Sequence, residues 1–294
     1  MRRVEVLAHR VEELRSQQEH GASWMARRAL EALLDVAAQD AASSEELLDR
    51  LTAAGRELAA SRPGVGAIAG AVGRLVASAR TGAQLPPQEL RRVVQSHAEG
   101  MLGGRDRAKA SIAIQLRERL GDALVVTHSA SATVREALVY TPPAFVTCTA
   151  TAPHEEGRAL AEELREAGLD VEVVSDEEAE AALERSSLLL LGADTVFVDG
   201  AVCNRAGTRR LAEVAHALSV PSVVAAEVIK LTPVPAAEAP ALGPETALLF
   251  DVTPPELVDS IVTEEGTVEP DGVGALVNRI PFLVDGYRLL RGAG

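Results

Sequence analysis

Residues 123–147 read ALVVTHSASATVREALVYTPPAFVT. An apolar run at 123–127 gives way to a helical stretch at 133–139. A second apolar run, 144–147, follows two prolines. The alternation continues down the chain. Strands are predicted at 171–174, 188–191, 195–198 and 222–225, with a further one at 247–250. Helices are predicted at 155–167, 177–185, 208–217 and 255–261. Strands alternating with helices imply βαβ units and a mainly parallel sheet. The strand runs are too apolar for a one-sided sheet, so helices are expected on both faces.

Upstream the period changes to that of helices. Val4, Leu7, Val11 and Leu14 share a face, as do Leu30, Leu33 and Leu34. Ser43 and Glu46 form a capping box ahead of Leu47, Leu48 and Leu51. Pro63 is placed where a helix would start, and Gly121 where the last helix would end. The expected architecture is α/β: a helical N-terminal domain, 1–121, then a Rossmann-like, mainly parallel sheet domain, 122–294. The stretch 232–244 reads as a loop.

Composition excludes several functions. The 29 Lys+Arg against 43 Asp+Glu leave a net charge of −14, against direct nucleic-acid binding. Dibasic pairs such as Arg91–Arg92 are scattered on helical patterns and read as solvated faces. Two cysteines make neither a disulfide framework nor a zinc site, and no metal is expected. No apolar run suggests a membrane span, and the charged N-terminus is no secretory signal, so a cytoplasmic protein is expected. Only two of the 29 basic residues are lysines, Lys109 and Lys230. Acid excess with scarce lysine suits a salty cytoplasm, and high-GC codon usage explains the arginines equally well.

Several residues could carry chemistry. His128 and Ser129 follow a strand, where open α/β sheets form their ligand crevice. Asp194 follows the run 188–191 and is either a general acid/base or a helix cap. Asn204 and Arg205 precede a helix start at Thr208, a generic anion site. Lys230 stands out in a lysine-poor chain. Cys148 and Cys203 read as small buried thiols. Gly64, Gly66 and Gly70 form GxGxxxG without a preceding strand, which suits close helix packing better than a phosphate cradle.

Two longer stretches carry a family resemblance. Residues 192–208, GADTVFVDGAVCNRAGT, resemble the GAD…NGxVxNKxGT signature, and residues 250–264, FDVTPPELVDSIVTE, are similar to FDxTPPxxIDxIxTE. Ser61-Arg62-Pro63 resembles a helix start in the same superfamily. It contains the α, β and δ subunits of translation initiation factor 2B, the ribose-1,5-bisphosphate isomerases and the methylthioribose-1-phosphate isomerases. The resemblance covers about residues 20–265. It implies the same two-part fold and a dimer or larger assembly. It also implies that an aspartate, here Asp194, and a cysteine do the isomerases' proton work.

The cysteine position holds Ser129. The isomerases' phosphate arginines correspond to His20 and Ala152, while Arg62, Asp194, Asn204 and Lys230 match, and Arg205 stands for a lysine. The resemblance therefore implies a non-catalytic regulatory or binding oligomer related to translation initiation. The alternative is a sugar-phosphate isomerase with Asp194 as its catalytic residue. Arg62, His128, Ser129, Asn204, Arg205 and Lys230 are the expected ligand-binding set. Expected partners are a second copy, initiation factor 2 subunits, and a phosphorylated metabolite or nucleotide. No cofactor is expected.

Overall fold

A computed structural model describes residues 2–17, 21–152, 154–241 and 247–292. Five helices come first: α1 (Arg2–Ser16), α2 (Ala22–Ala37), α3 (Ser44–Ala60), α4 (Gly66–Arg80) and α5 (Pro87–Leu120). The Ser43 hydroxyl accepts from the Glu46 amide at 3.1 Å, as the capping box requires. Leu30, Leu33, Leu47, Leu51, Ile68 and Leu75 fill the core between these helices. Helix α4 starts at Gly66, not at Pro63. Gly64 takes a φ of 95°, which turns the chain before the helix can begin.

The α/β part runs β1 (Leu124–His128), α6 (Ala132–Tyr140), β2 (Phe145–Thr149), α7 (Glu156–Glu166), β3 (Val171–Val174), α8 (Ala179–Leu183) and β4 (Leu188–Leu191). It continues with β5 (Thr195–Phe197), β6 (Val202–Arg205), α9 (Thr208–Leu218), β7 (Ser222–Ala225), β8 (Leu231–Thr232) and β9 (Phe250–Thr253). Then come β10 (Ser260–Thr263), β11 (Gly266–Val268), α10 (Val273–Arg279) and α11 (Leu283–Arg291). Seven strands form one sheet in the order β11-β10-β7-β4-β1-β2-β3, parallel except for β11. A four-stranded sheet, β8-β5-β6-β9, lies apart from it.

Some sequence expectations shift. The helix expected at 255–261 is a 3-10 turn, Pro255–Leu257, followed by strand β10. Ile261 and Val262 are β-branched or stiff and fully buried, and they pair with Val224 and Ala225. The strand expected at 247–250 lies at Phe250–Thr253. Within 232–244, residues 236–238 form a 3-10 turn, and 242–244 fall outside the described residues. Strand β6 was hidden by its polar end, Asn204 and Arg205. The apolar faces of α10 and α11 also went unread.

Two features tie the halves together. The first half of α5 buries Leu90, Val94 and Ala98 in the helical core, and its last turns bury Ile112, Leu116 and Leu120 under the sheet. Helix α4 lies against α11 and the 3-10 turn Val228–Lys230. A Cβ on Gly70 would sit 2.2 Å from the Ile229 carbonyl oxygen. Of the GxGxxxG glycines, Gly66 and Gly70 therefore serve packing, and Gly64 the turn before the helix. Gly66 donates its amide to the Thr195 hydroxyl at 2.6 Å.

Candidate functional site

Strand β1 connects to β2 on one side, while β4 lies on its other side, so the strand order reverses between β1 and β4. Ligand crevices of open sheets form at the carboxyl ends of strands at such a reversal. A cavity of about 290 Å³ opens there, beside the start of α2. His128, Ser129, Asp194, Asn204, Arg205 and Lys230 all line it. The crevice thus brings together five of the six expected ligand-binding residues and the candidate catalytic Asp194.

Arg62 is the exception. It is buried behind the crevice, and its guanidinium donates to the carbonyls of Arg15 (3.0 Å) and Gln17. It satisfies the open carbonyls at the end of α1. Burial pulls its pKa down, and the Arg205 charge adds to that. His20, at a family arginine position, lies outside the described residues.

His128 is a structural residue. Its Nε2 faces the Ala206 carbonyl at 2.9 Å and must therefore donate, leaving Nδ1 to accept from the Thr149 hydroxyl at 2.6 Å. Burial lowers its pKa, so the ring is neutral. Asn204 donates to the Thr208 hydroxyl at 3.0 Å, which itself donates to the Arg205 carbonyl, fixing the turn into α9.

Asp194 sits between β4 and β5, and no helix follows for it to cap. Its amide donates to the Cys203 carbonyl at 2.9 Å. Desolvation raises its carboxyl pKa, while Lys230, Arg205 and Arg62 oppose the rise and Glu156 adds to it. Burial and the neighbouring cations thus pull this carboxyl in opposite directions, with burial the stronger.

Its family partner thiol is replaced by Ser129, held at a φ of 64°. The Ser129 hydroxyl donates to Glu156 Oε2 at 2.6 Å. The remaining cysteines cannot substitute. Cys148 is buried and its thiol is pushed up to about 12, and Cys203 is pushed up as well, in both cases by desolvation.

Sequence reasoning missed Glu156, at the start of α7. Its carboxylate takes the Arg205 guanidinium in a two-pronged pair, with Nε at 3.0 Å. The guanidinium also lies 5.0 Å from the centre of the Phe250 ring. At the rim, Arg135 pairs with Glu163. Three cations (Arg135, Arg205, Lys230) thus meet three carboxylates (Glu156, Glu163, Asp194) among the described lining residues. At the family's second arginine position, Ala152 is exposed and offers only its amide, which is bound to Asp176.

Comparisons with known proteins identify the family. Residues 18–246 match the model of the initiation factor 2 subunit family. A protein of Pyrococcus furiosus named a translation initiation factor eIF-2B subunit 2-like protein is 31% identical over 277 residues, covering 88% of this chain and 95% of that one. A ribose 1,5-bisphosphate isomerase of Haloferax volcanii is 30% identical over 286 residues, covering 88% of each. The crystal structure of translation initiation factor eIF-2B from Pyrococcus horikoshii superposes with a TM-score of 0.76 at 28% identity, covering 90% of this chain and 97% of that one. Relatives of comparable similarity thus bear a translation-factor name and an isomerase name. The family match over most of the chain and the similarity to the Pyrococcus furiosus protein settle it: this chain belongs to the initiation factor 2 subunit family.

Proposed function

We propose that this chain is a non-catalytic regulatory or binding member of the family, working as an oligomer in the cytoplasm. The observation that carries this reading is the Glu156 carboxylate seated on Arg205 and Ser129. An isomerase of phosphorylated pentoses must hold a dianionic phosphate on cations and move a proton between neighbouring carbons. Here Arg205 is already paired with Glu156, and the lining carries as many carboxylates as cations. A serine hydroxyl engaged by a carboxylate does not supply the proton that a thiol of ordinary pKa near 8.5 could. The helical part, 1–121, and the α/β part, 122–294, are its domains in this reading. Its partners are a second copy and subunits of initiation factor 2.

The alternative is a sugar-phosphate isomerase, favoured by Asp194 with Lys230 beside it and by the isomerase name of the Haloferax volcanii relative. An assay with ribose 1,5-bisphosphate separates the two. The regulatory reading expects no turnover, a mass in solution of at least two chains, and capture of an initiation factor 2 subunit by the purified protein. Turnover abolished by Asp194→Asn overturns it.

A further inference from the structure

A second cavity, of about 440 Å³, lies where α5 passes from the helical core to the sheet. It is separate from the crevice. Its floor is the chain just before Val228–Lys230, and its walls include Met101, Ile229 and Phe282.

Two polar atoms there lack a hydrogen-bond partner among the described residues: Glu227 Oε2 and Arg105 Nε. Glu227 is 1% exposed, and its other oxygen is committed, accepting from Ser23 at 2.8 Å and from Thr133 at 3.2 Å. Oε2 and Nε stand 3.7 Å apart. That is longer than a hydrogen bond but within ion-pair reach, and it leaves both atoms able to bond one oxygen set beside them, off the line that joins them. Such an oxygen would accept from Arg105 and donate to Glu227, which describes the hydroxyl of a bound compound or a water that such a hydroxyl would displace. A buried carboxylate oxygen left without a donor is costly, so an occupant is expected.

The charge of the cavity selects among hydroxyl compounds. Glu227, Glu264 and Glu265 face Arg74 and Arg105, an excess of one negative charge. Glu264 is partly engaged, accepting the Val228 amide at 2.9 Å. Arg74 gives its Nε to the Pro281 carbonyl at 3.2 Å and is attracted by Glu264 and Glu265. A phosphate ester would meet net repulsion. Apolar walls around a polar pair fit a small neutral molecule with one hydroxylated edge.

We propose that this cavity is a binding site for a neutral polyhydroxylated small molecule, such as a free sugar, cyclitol or nucleoside, held by a hydroxyl bridging Arg105 and Glu227. The site is independent of whether the crevice turns over substrate. Glu227 joins the two, because the same carboxylate holds Ser23 at the start of α2, on the crevice wall.

The test is calorimetric titration of the full chain with D-ribose, myo-inositol and uridine, with inorganic phosphate as the anionic probe. At least one neutral probe is expected to bind saturably. Its affinity should fall roughly tenfold or more in Arg105→Met and in Glu227→Gln, as expected for losing a charge-assisted hydrogen bond. Should Glu227→Gln fail to fold, Arg105→Met carries the comparison. Hydrogen exchange on the wild-type chain adds a reading free of mutation: the bound probe should protect residues 96–108. No saturable binding of any neutral probe at millimolar concentration overturns the proposal. Binding indifferent to Arg105→Met, or phosphate binding more tightly than the neutral probes, overturns it as well.

Discussion

Glu156 and Arg205 stand 49 residues apart in sequence and form a two-pronged ion pair across the crevice mouth, with Ser129 donating to the same Glu156 oxygen. The site that would receive an anion from outside already holds one from within. The pair is mostly buried, so its energetics follow the rule for desolvated charges: breaking one side is costly because the other is left alone.

Glu156→Gln should therefore destabilise the chain by about 1.5–3 kcal/mol. It should also make stability rise with added phosphate, because the freed Arg205 accepts an anion. Urea unfolding with and without millimolar phosphate checks both. A variant insensitive to phosphate would show that Arg205 is not an anion site.

The two thiols should be silent in the native state. With Cys148 pushed up to about 12 and Cys203 also raised by burial, almost no thiolate exists at pH 8. A thiol reagent such as Ellman's reagent should react with neither until urea unfolds the chain, and with both afterwards.

Stability against pH should carry opposing signatures from Asp194 and His128. The folded Asp194 pKa is raised by desolvation, so the folded state holds the proton longer than the unfolded state. That costs stability as pH rises from the ordinary aspartate value through the folded one. Asp194→Asn should melt higher than wild type at pH 7, with the gap closing under acid. The folded His128 pKa is depressed, so its contribution is complete above about 6.5 and is lost as pH falls below that. His128→Gln should remove that acid-side loss, whatever its effect on absolute stability. Thermal melts across pH 4–8 separate the two.

Glycines should divide by surroundings. Gly70→Ala drives a methyl to 2.2 Å from the Ile229 carbonyl oxygen and should cost roughly 3 kcal/mol. Gly100→Ala meets nothing within 4 Å in mid-helix and should stabilise by about 0.5–1 kcal/mol. Thermal melts read both signs directly.

The α/β alternation was legible because β4 is a continuous buried apolar run and β1 and β7 bury their apolar centres, Val125 with Val126 and Val223 with Val224, on both faces. Ser260–Thr263 misled because Pro254 and Pro255 suggest a helix start, and only the neighbouring β7 makes those residues a strand. The crevice members were legible where they close a strand or sit in a motif. Glu156 was not, because two glutamates at a helix start look like ordinary dipole partners. Nothing local in sequence points from Glu156 to Arg205. The place of Arg62 outside the crevice lining was not legible for a similar reason: its hydrogen-bond partners are backbone carbonyls, which leave no mark in sequence.

Helix α5 has a mechanical consequence. One continuous rod is anchored by Leu90 and Val94 at one end and by Leu116 and Leu120 at the other, each in a different core. The halves cannot swing like beads on a string, since the rod has no slack. Any reorientation must bend the helix itself, and the weakest stretch is around Gly100, Gly103 and Gly104, where added side chains would meet open space or only the end of Arg107. Heat or denaturant should therefore melt both halves in one transition, because neither core can come apart without fraying the rod that the other one holds.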